Sequence, residues 1–130
     1  MKRLHLIFLA IIFDITFSNE ADYSRWATAM KEHGFGWEAV TVETEDSYLL
    51  TMFNIKSSAS FKNRHPPVLI MHGLFMDAAQ WLQRQSKDGG DLPWMLQLAD
   101  QGYDVWMGNS RGTEYSMKHL DFDAKVDDEY

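Results

Sequence analysis

Residues 67–75 read Pro67-Val68-Leu69-Ile70-Met71-His72-Gly73-Leu74-Phe75. Val68 to Met71 are apolar without interruption, His72 and Gly73 break the run, and Leu74 and Phe75 resume it. A continuous apolar run bounded by turn signals predicts a strand buried on both faces, as in a parallel α/β sheet. Gly73 permits a sharp turn where that strand ends. In open α/β sheets, ligands bind just outside the carboxyl ends of the strands. A His-Gly turn there can aim backbone N–H groups into a cleft, which is what an oxyanion site requires.

The flanking sequence supplies the other elements of such a sheet. Upstream, Asn19–His33 has helical spacing, with Tyr23, Trp26, Ala27 and Met30 at i, i+3, i+4 and i+7 and Gly34 at the C-terminal cap. Glu38–Glu43 alternates, Glu45-Asp46-Ser47 is a turn signal, and Tyr48–Ile55 is a second strand, so the two runs predict a β-hairpin. Lys56–His65 is polar and reads as a loop. Downstream, Asp77–Gln85 is predicted to hold a short helix and Ser86–Gly90 a loop. Asp91 is then placed to cap a helix with Pro93 in its first turn and Leu92, Met95, Leu96 and Ala99 as its apolar stripe. Gly102 ends that helix and Tyr103–Met107 is a strand. A right-handed crossover through the helix sets Tyr103–Met107 parallel to Val68–Met71.

Composition narrows the class. The chain has 130 residues, 45% of them hydrophobic and 14% aromatic, enough for one small core. A net charge of -7 without a basic stripe argues against nucleic acid as a partner. There is no cysteine, which removes a disulfide framework, a thiolate nucleophile and cysteine-type zinc sites together. Met1–Ser18 has a basic start at Lys2 and Arg3, an apolar run from Leu4 to Phe13, and small residues at Thr16 and Ser18. It reads as a signal peptide cleaved after Ser18, with an uncleaved amphipathic anchor as the rival. The run falls short of the roughly 20 apolar residues of a membrane span. Asp121–Glu129 is acidic and reads as a solvated face rather than a cation site.

Two places compete for the chemistry. Gly108-Asn109-Ser110-Arg111-Gly112 matches G-x-S-x-G, the nucleophile elbow of α/β-hydrolases, and follows a predicted strand. As an elbow it needs a tight strand-to-helix turn and a histidine base oriented by an acid. Thr113-Glu114-Tyr115-Ser116 carries no strong helix signal, and His119 is the one histidine that follows, too near in sequence to reach back. A structural turn is the default reading of Ser110. The other place is His72-Gly73-Leu74, where Leu74 offers a backbone N–H as an oxyanion donor and its side chain need not be polar. For His72 a buried, hydrogen-bonded ring outweighs a metal ligand, because no second ligand lies at a suitable spacing. Element order separates the two: in an α/β-hydrolase the nucleophile strand comes one βα unit later than Tyr103–Met107. Gly108–Gly112 is then a rim loop beside the oxyanion turn, in which Arg111 bonds neighbouring carbonyls or carboxylates.

The chain resembles the N-terminal part of the acid lipase family, the gastric and lysosomal lipases and related esterases. Gly34–Ile55 with Val42-Glu43-Thr44-Glu45-Asp46, Pro67–Trp81 with His72-Gly73-Leu74 and Trp81, and Leu98–Gly112 (L-A-D-Q-G-Y-D-V-W-M-G-N-S-R-G) carry the likeness. The resemblance implies the N-terminal portion of an α/β-hydrolase fold, with an opening hairpin, parallel strands, a crossover helix and an incomplete sheet. It implies a carboxylic-ester hydrolase of the secretory pathway, secreted or lysosomal, acting on triacylglycerol or sterol esters without a cofactor or metal. Leu74 would supply an oxyanion N–H, His72 and Gly73 its turn, and Asn109, Ser110, Arg111 and Gly112 a structural rim. Ser47 stands where the family usually has glycine. The sequence stops at Tyr130 before any segment resembling the elbow, acidic residue, histidine or lid. Residues 19–130 are therefore expected to be a truncated lipase domain, inactive alone, with a lipid ester as partner only when completed and at most transient contact with a lipid surface. A non-catalytic secreted relic or binding protein with the same N-terminal fold is the alternative. In either case Val68–Met71 is expected to lack a neighbour on one edge, which invites aggregation.

Overall fold

A computed structural model describes residues 22–57, 65–82 and 91–128. The signal-like segment Met1–Ser18 and the loop Ser86–Gly90 lie outside these residues. Helix α1 spans Ser24–His33. Its Trp26 and Met30 are fully buried, the i+3 and i+7 positions of the predicted stripe. Gly34 ends it in the left-handed region at φ 76°, donating to the Lys31 carbonyl at 3.1 Å while Phe35 N–H donates to Met30.

Strands β1 (Gly36–Glu43) and β2 (Tyr48–Lys56) pair antiparallel from Gly36↔Lys56 to Glu43↔Leu49. The turn between them is closed by Ser47 N–H on the Thr44 carbonyl at 2.9 Å, and Ser47 sits at φ 64°. A Cβ in that region costs about 1–2 kcal/mol that glycine avoids.

Strand β3 (Val68–Met71) runs parallel to β4 (Val105–Gly108), from Val68↔Val105 to Met71↔Gly108. The sheet order is β1-β2-β4-β3, with β5 (Lys118–His119) on β2, so among the described residues β3 is an edge strand. Strand β4 starts later than the predicted Tyr103, because Tyr103 N–H is drawn back to the Leu98 carbonyl at the preceding helix end. That helix, α2, spans Trp94–Asp100. Asp91 does not cap it. Pro93 holds the cap position, and its carbonyl accepts the Leu96 and Gln97 N–H groups without any side-chain cap. The predicted helix after Asp77 is a short 3-10 helix, Ala78–Leu82.

The expectation that Val68–Met71 is buried on both faces is corrected. Ile70 is buried, but Leu69 and Met71 are 59% and 47% exposed. Helices α1 and α2 and the 3-10 helix all contribute to a single core cluster on one face of the sheet, where Phe53, Ile55, Ile70, Val105 and Met107 point. Leu69 and Met71 alternate to the other face, and among the described residues no helix covers them there. The centre of the covered face is Phe53. Trp26 stacks on it at 4.3 Å between centroids, and Tyr23, Trp37 and Tyr115 meet it edge-on at 5.5, 5.6 and 5.0 Å.

Because the hairpin turn holds a serine where φ is positive, Ser47→Gly is expected to raise stability by about 1 kcal/mol. Ser47→Ala, which keeps the Cβ, is expected to give no such gain. The midpoints of urea denaturation of the three chains check this.

Candidate active site

The turn after β3 and the loop after β4 leave the carboxyl ends of two parallel strands and face each other across a cleft of about 620 Å³. Residues 72–77 line one side and 110–114 the other. This is where an α/β sheet places ligands.

On the first side, Met76 N–H donates to the Gly73 carbonyl at 3.3 Å and closes a turn with Leu74 and Phe75 at its centre. Phe75 stands at its third position with φ 60°, a conformation such turns usually give to glycine. Its side chain is 98% exposed, and that of Leu74 82%. Among the described residues no acceptor meets the Leu74 N–H. His72 is half-buried. Its Nε2 accepts the Ser110 N–H at 3.0 Å and its Nδ1 lies 2.8 Å from the Gly73 carbonyl oxygen.

On the second side, each residue of Asn109–Gly112 makes a different contact. Asn109 is buried; its Oδ1 accepts the Ala78 N–H at 2.9 Å and its Nδ2 donates to the Thr51 carbonyl at 3.0 Å. The Ser116 hydroxyl, also buried, donates to the Asn109 carbonyl at 3.2 Å and accepts the Thr51 N–H at 2.9 Å. Ser110 is exposed, and its carbonyl accepts the Thr113 N–H and hydroxyl. Gly112 takes φ 80° and donates to the Ser116 carbonyl at 3.0 Å. Turns rather than a helix follow Ser110, so the serine is not on the strand-to-helix bend that an elbow requires.

Neither nearby histidine is placed to deprotonate Ser110. The His72 Nε2 lone pair is taken by the backbone N–H of Ser110 itself. His119 packs between Tyr48 and Phe122, its Nδ1 accepts the Asp121 and Phe122 N–H groups, and its Nε2 reaches the Asp46 carbonyl at 2.9 Å.

Arg111, at the edge of the cleft, reaches to the hairpin turn. It forks onto Asp46 at 2.6 and 3.2 Å, and its guanidinium lies 4.0 Å from the centroid of the Tyr48 ring. The fork, with help from the Thr44 hydroxyl, lowers the Asp46 carboxyl to about 2. A second clamp escapes sequence reading altogether. Arg25 of α1 pairs with Asp77 and, at 3.0 Å, with Glu114, and its Nε–H donates to the Tyr115 hydroxyl at 3.3 Å. Burial pushes the Tyr115 hydroxyl up from its ordinary value. No spacing rule links residue 25 to 77 and 114; only the tertiary fold brings them together. Among the described residues, no cluster of three metal-ligating side chains forms and no helix is long and apolar enough to cross a membrane.

An antiparallel hairpin leading into a parallel pair with a crossover helix, with a cleft at the strand ends, defines a partial α/β-hydrolase. Residues 26–85 match the family described as a partial alpha/beta-hydrolase lipase region. The chain is 40% identical over 98 residues to triacylglycerol lipase 2 of Arabidopsis thaliana, covering 72% of this chain and 22% of that protein. It is 39% identical over 98 residues to the lysosomal acid lipase/cholesteryl ester hydrolase of Homo sapiens, covering 73% and 24%. To a probable lipase of Schizosaccharomyces pombe it is 38% identical over 97 residues, covering 72% and 20%. The chain belongs to the lipase family of α/β-hydrolases and carries its N-terminal region. The matched stretches span between a fifth and a quarter of the length of these relatives.

Two outcomes follow for the scaffold of the cleft. Asn109→Leu strands the Ala78 N–H and the Thr51 carbonyl in the interior and is expected to cost about 3 kcal/mol, read as a lower denaturant midpoint. The Asp46–Arg111 pair gives a pH dependence of fixed sign. Asp46 titrates near 3.8 when unperturbed and about 2 in the fold. Its contribution is therefore present above the first value and is lost as pH falls through the second. The stability difference between the native chain and Asp46→Asn is expected to shrink over that window and to stay flat above pH 5.

Proposed function

We propose that this chain is the N-terminal part of a lipid-ester hydrolase of the acid lipase type, in which the Leu74 N–H is one of two oxyanion donors. The observation that carries the reading is the turn after β3. It borders the cleft, and among the described residues its Leu74 N–H meets no acceptor. A tetrahedral intermediate of ester hydrolysis carries its charge on the former carbonyl oxygen, and a preorganised N–H aimed at that oxygen stabilises it. The second donor, the nucleophile, its histidine and the acid are supplied by polypeptide that follows this region in a longer protein. The chain alone is inactive, and Asn109 to Gly112 form the wall of the site rather than its nucleophile.

The substrate class is a triacylglycerol or sterol ester, which agrees with the names of the relatives from Arabidopsis thaliana and Homo sapiens. The route is the secretory pathway, to the lysosome or outside the cell, which agrees with the signal-like character of Met1–Ser18. Contact with a lipid surface is transient.

The test uses the longer protein read from the same transcript past the codon for Tyr130. An in-frame G-x-S-x-G whose serine is labelled by a fluorophosphonate supports the reading. Leu74 occupies the second position of its turn, where proline is well tolerated. Leu74→Pro thus deletes the donor and keeps the turn, and kcat on an ester is expected to fall by about 10²–10³. A genuine stop after Tyr130, or an unchanged kcat, overturns the reading. So does labelling of the 130-residue chain that is lost in Ser110→Ala.

A further inference from the structure

His72 has no role in the reading above, yet both of its ring nitrogens are engaged. The Ser110 N–H can only donate, so Nε2, at 3.0 Å, carries the lone pair. A neutral imidazole with a bare Nε2 carries its proton on Nδ1. The Nδ1–H then donates to the Gly73 carbonyl at 2.8 Å. The ring is thereby held in one tautomer and one orientation.

The consequence lies in the next peptide unit. The Gly73 carbonyl and the Leu74 N–H belong to the same planar trans amide and point in opposite directions. No cis peptide occurs among the described residues. Whatever fixes the carbonyl fixes the direction of the N–H. Gly73 has no Cβ to resist rotation of that plane, and neighbouring Phe75 already occupies an unfavourable backbone region at φ 60°. The Met76 N–H, at 3.3 Å, is a long second bond to the same oxygen. The His72 bond is the shorter of the two, and it is anchored through Ser110 to the loop after β4, which Asn109 holds in the core.

We propose that His72 is a positioning residue, a clasp between the turn after β3 and the loop after β4 that sets the plane of the Gly73–Leu74 peptide and so the aim of the Leu74 N–H. The functional weight of that aim rests on the oxyanion reading of Leu74; the clasp itself does not. Its side chain acts neither as a base for Ser110 nor as a ligand. Asparagine places an amide N–H near the position of Nδ1 and offers nothing at Nε2, whereas phenylalanine fills the space and offers neither.

The test is nuclear magnetic resonance on the 15N-labelled 130-residue chain, without substrate. The His72 ring is expected to report the Nδ1–H tautomer. In His72→Phe, Ser110 amide exchange is expected to rise by about tenfold, the loss of one net hydrogen bond, and the Leu74 amide resonance to move. In His72→Asn, Ser110 exchange is expected to rise while the Leu74 resonance stays in place, which a merely space-filling role would not produce. An Nε2–H tautomer in the native chain overturns the clasp even if the variants fail to fold. Unchanged Ser110 exchange and Leu74 resonance in folded His72→Phe also overturn it. An unchanged kcat in Leu74→Pro overturns the oxyanion reading and leaves the clasp standing.

Discussion

The cleft depends on a knot of four hydrogen bonds buried between the sheet and the loop after β4. Asn109 bridges the Ala78 N–H and the Thr51 carbonyl, while Ser116 bridges the Thr51 N–H and the Asn109 carbonyl. Thr51 lies on β2, Ala78 begins the 3-10 helix, and Asn109 and Ser116 bracket the loop. Backbone groups buried without partners would each cost about 1–3 kcal/mol, so the two side chains allow the chain to leave the sheet and stay buried. With Asn109 fixed, its neighbour Ser110 holds a set position, and its N–H meets His72. The order of dependence runs from core polar knot to the loop after β4 to the turn after β3.

Surface ion pairs add to this from the outside. Arg111 and Arg25 hold opposite ends of the same loop, one against the hairpin turn at Asp46 and the other against α1 through Glu114. Each pair is about half exposed, so each contributes little energy alone. Their value is geometric. The Arg111 fork lies over the Tyr48 ring, and a planar guanidinium held on two sides has few alternative placements.

Much of the framework was legible in the sequence because it follows local rules. The hairpin, the Gly34 cap and the stripe of α2 are set by periodicity and turn residues close in sequence, and the parallel pairing of β3 with β4 follows from the handedness of the crossover between them. The failures have physical causes. The apolar run of Val68–Met71 matched a doubly covered strand, but composition does not say on which face the helices lie, and here α1 and α2 share one. Asp91 looked like a cap, but Pro93 took its place. In the site, the His-Gly turn and the rim loop could be located, whereas the Asn109–Ser116 knot and the Arg25 clamp could not. Apart from the Ser116–Asn109 contact, their partners lie 31 to 90 residues away, and no pattern in the sequence marks them.

The G-x-S-x-G at Gly108–Gly112 shows why a local pattern underdetermines a backbone. The same five residues would suit an elbow if a helix followed and drew Ser110 into a tight bend. Instead the loop is held from three directions: by Asn109 in the core, by Arg111 on the hairpin, and by the Ser110 N–H on His72. Thr113 and Gly112 then turn the chain back toward Ser116. An elbow would need the serine side chain aimed at a base and the following N–H free. Here the serine N–H itself is committed to a histidine, and that commitment removes from the histidine the lone pair a base would need. The contact that orders this loop is incompatible with the chemistry the motif advertises: Ser110 lines the cleft with its backbone N–H committed to His72.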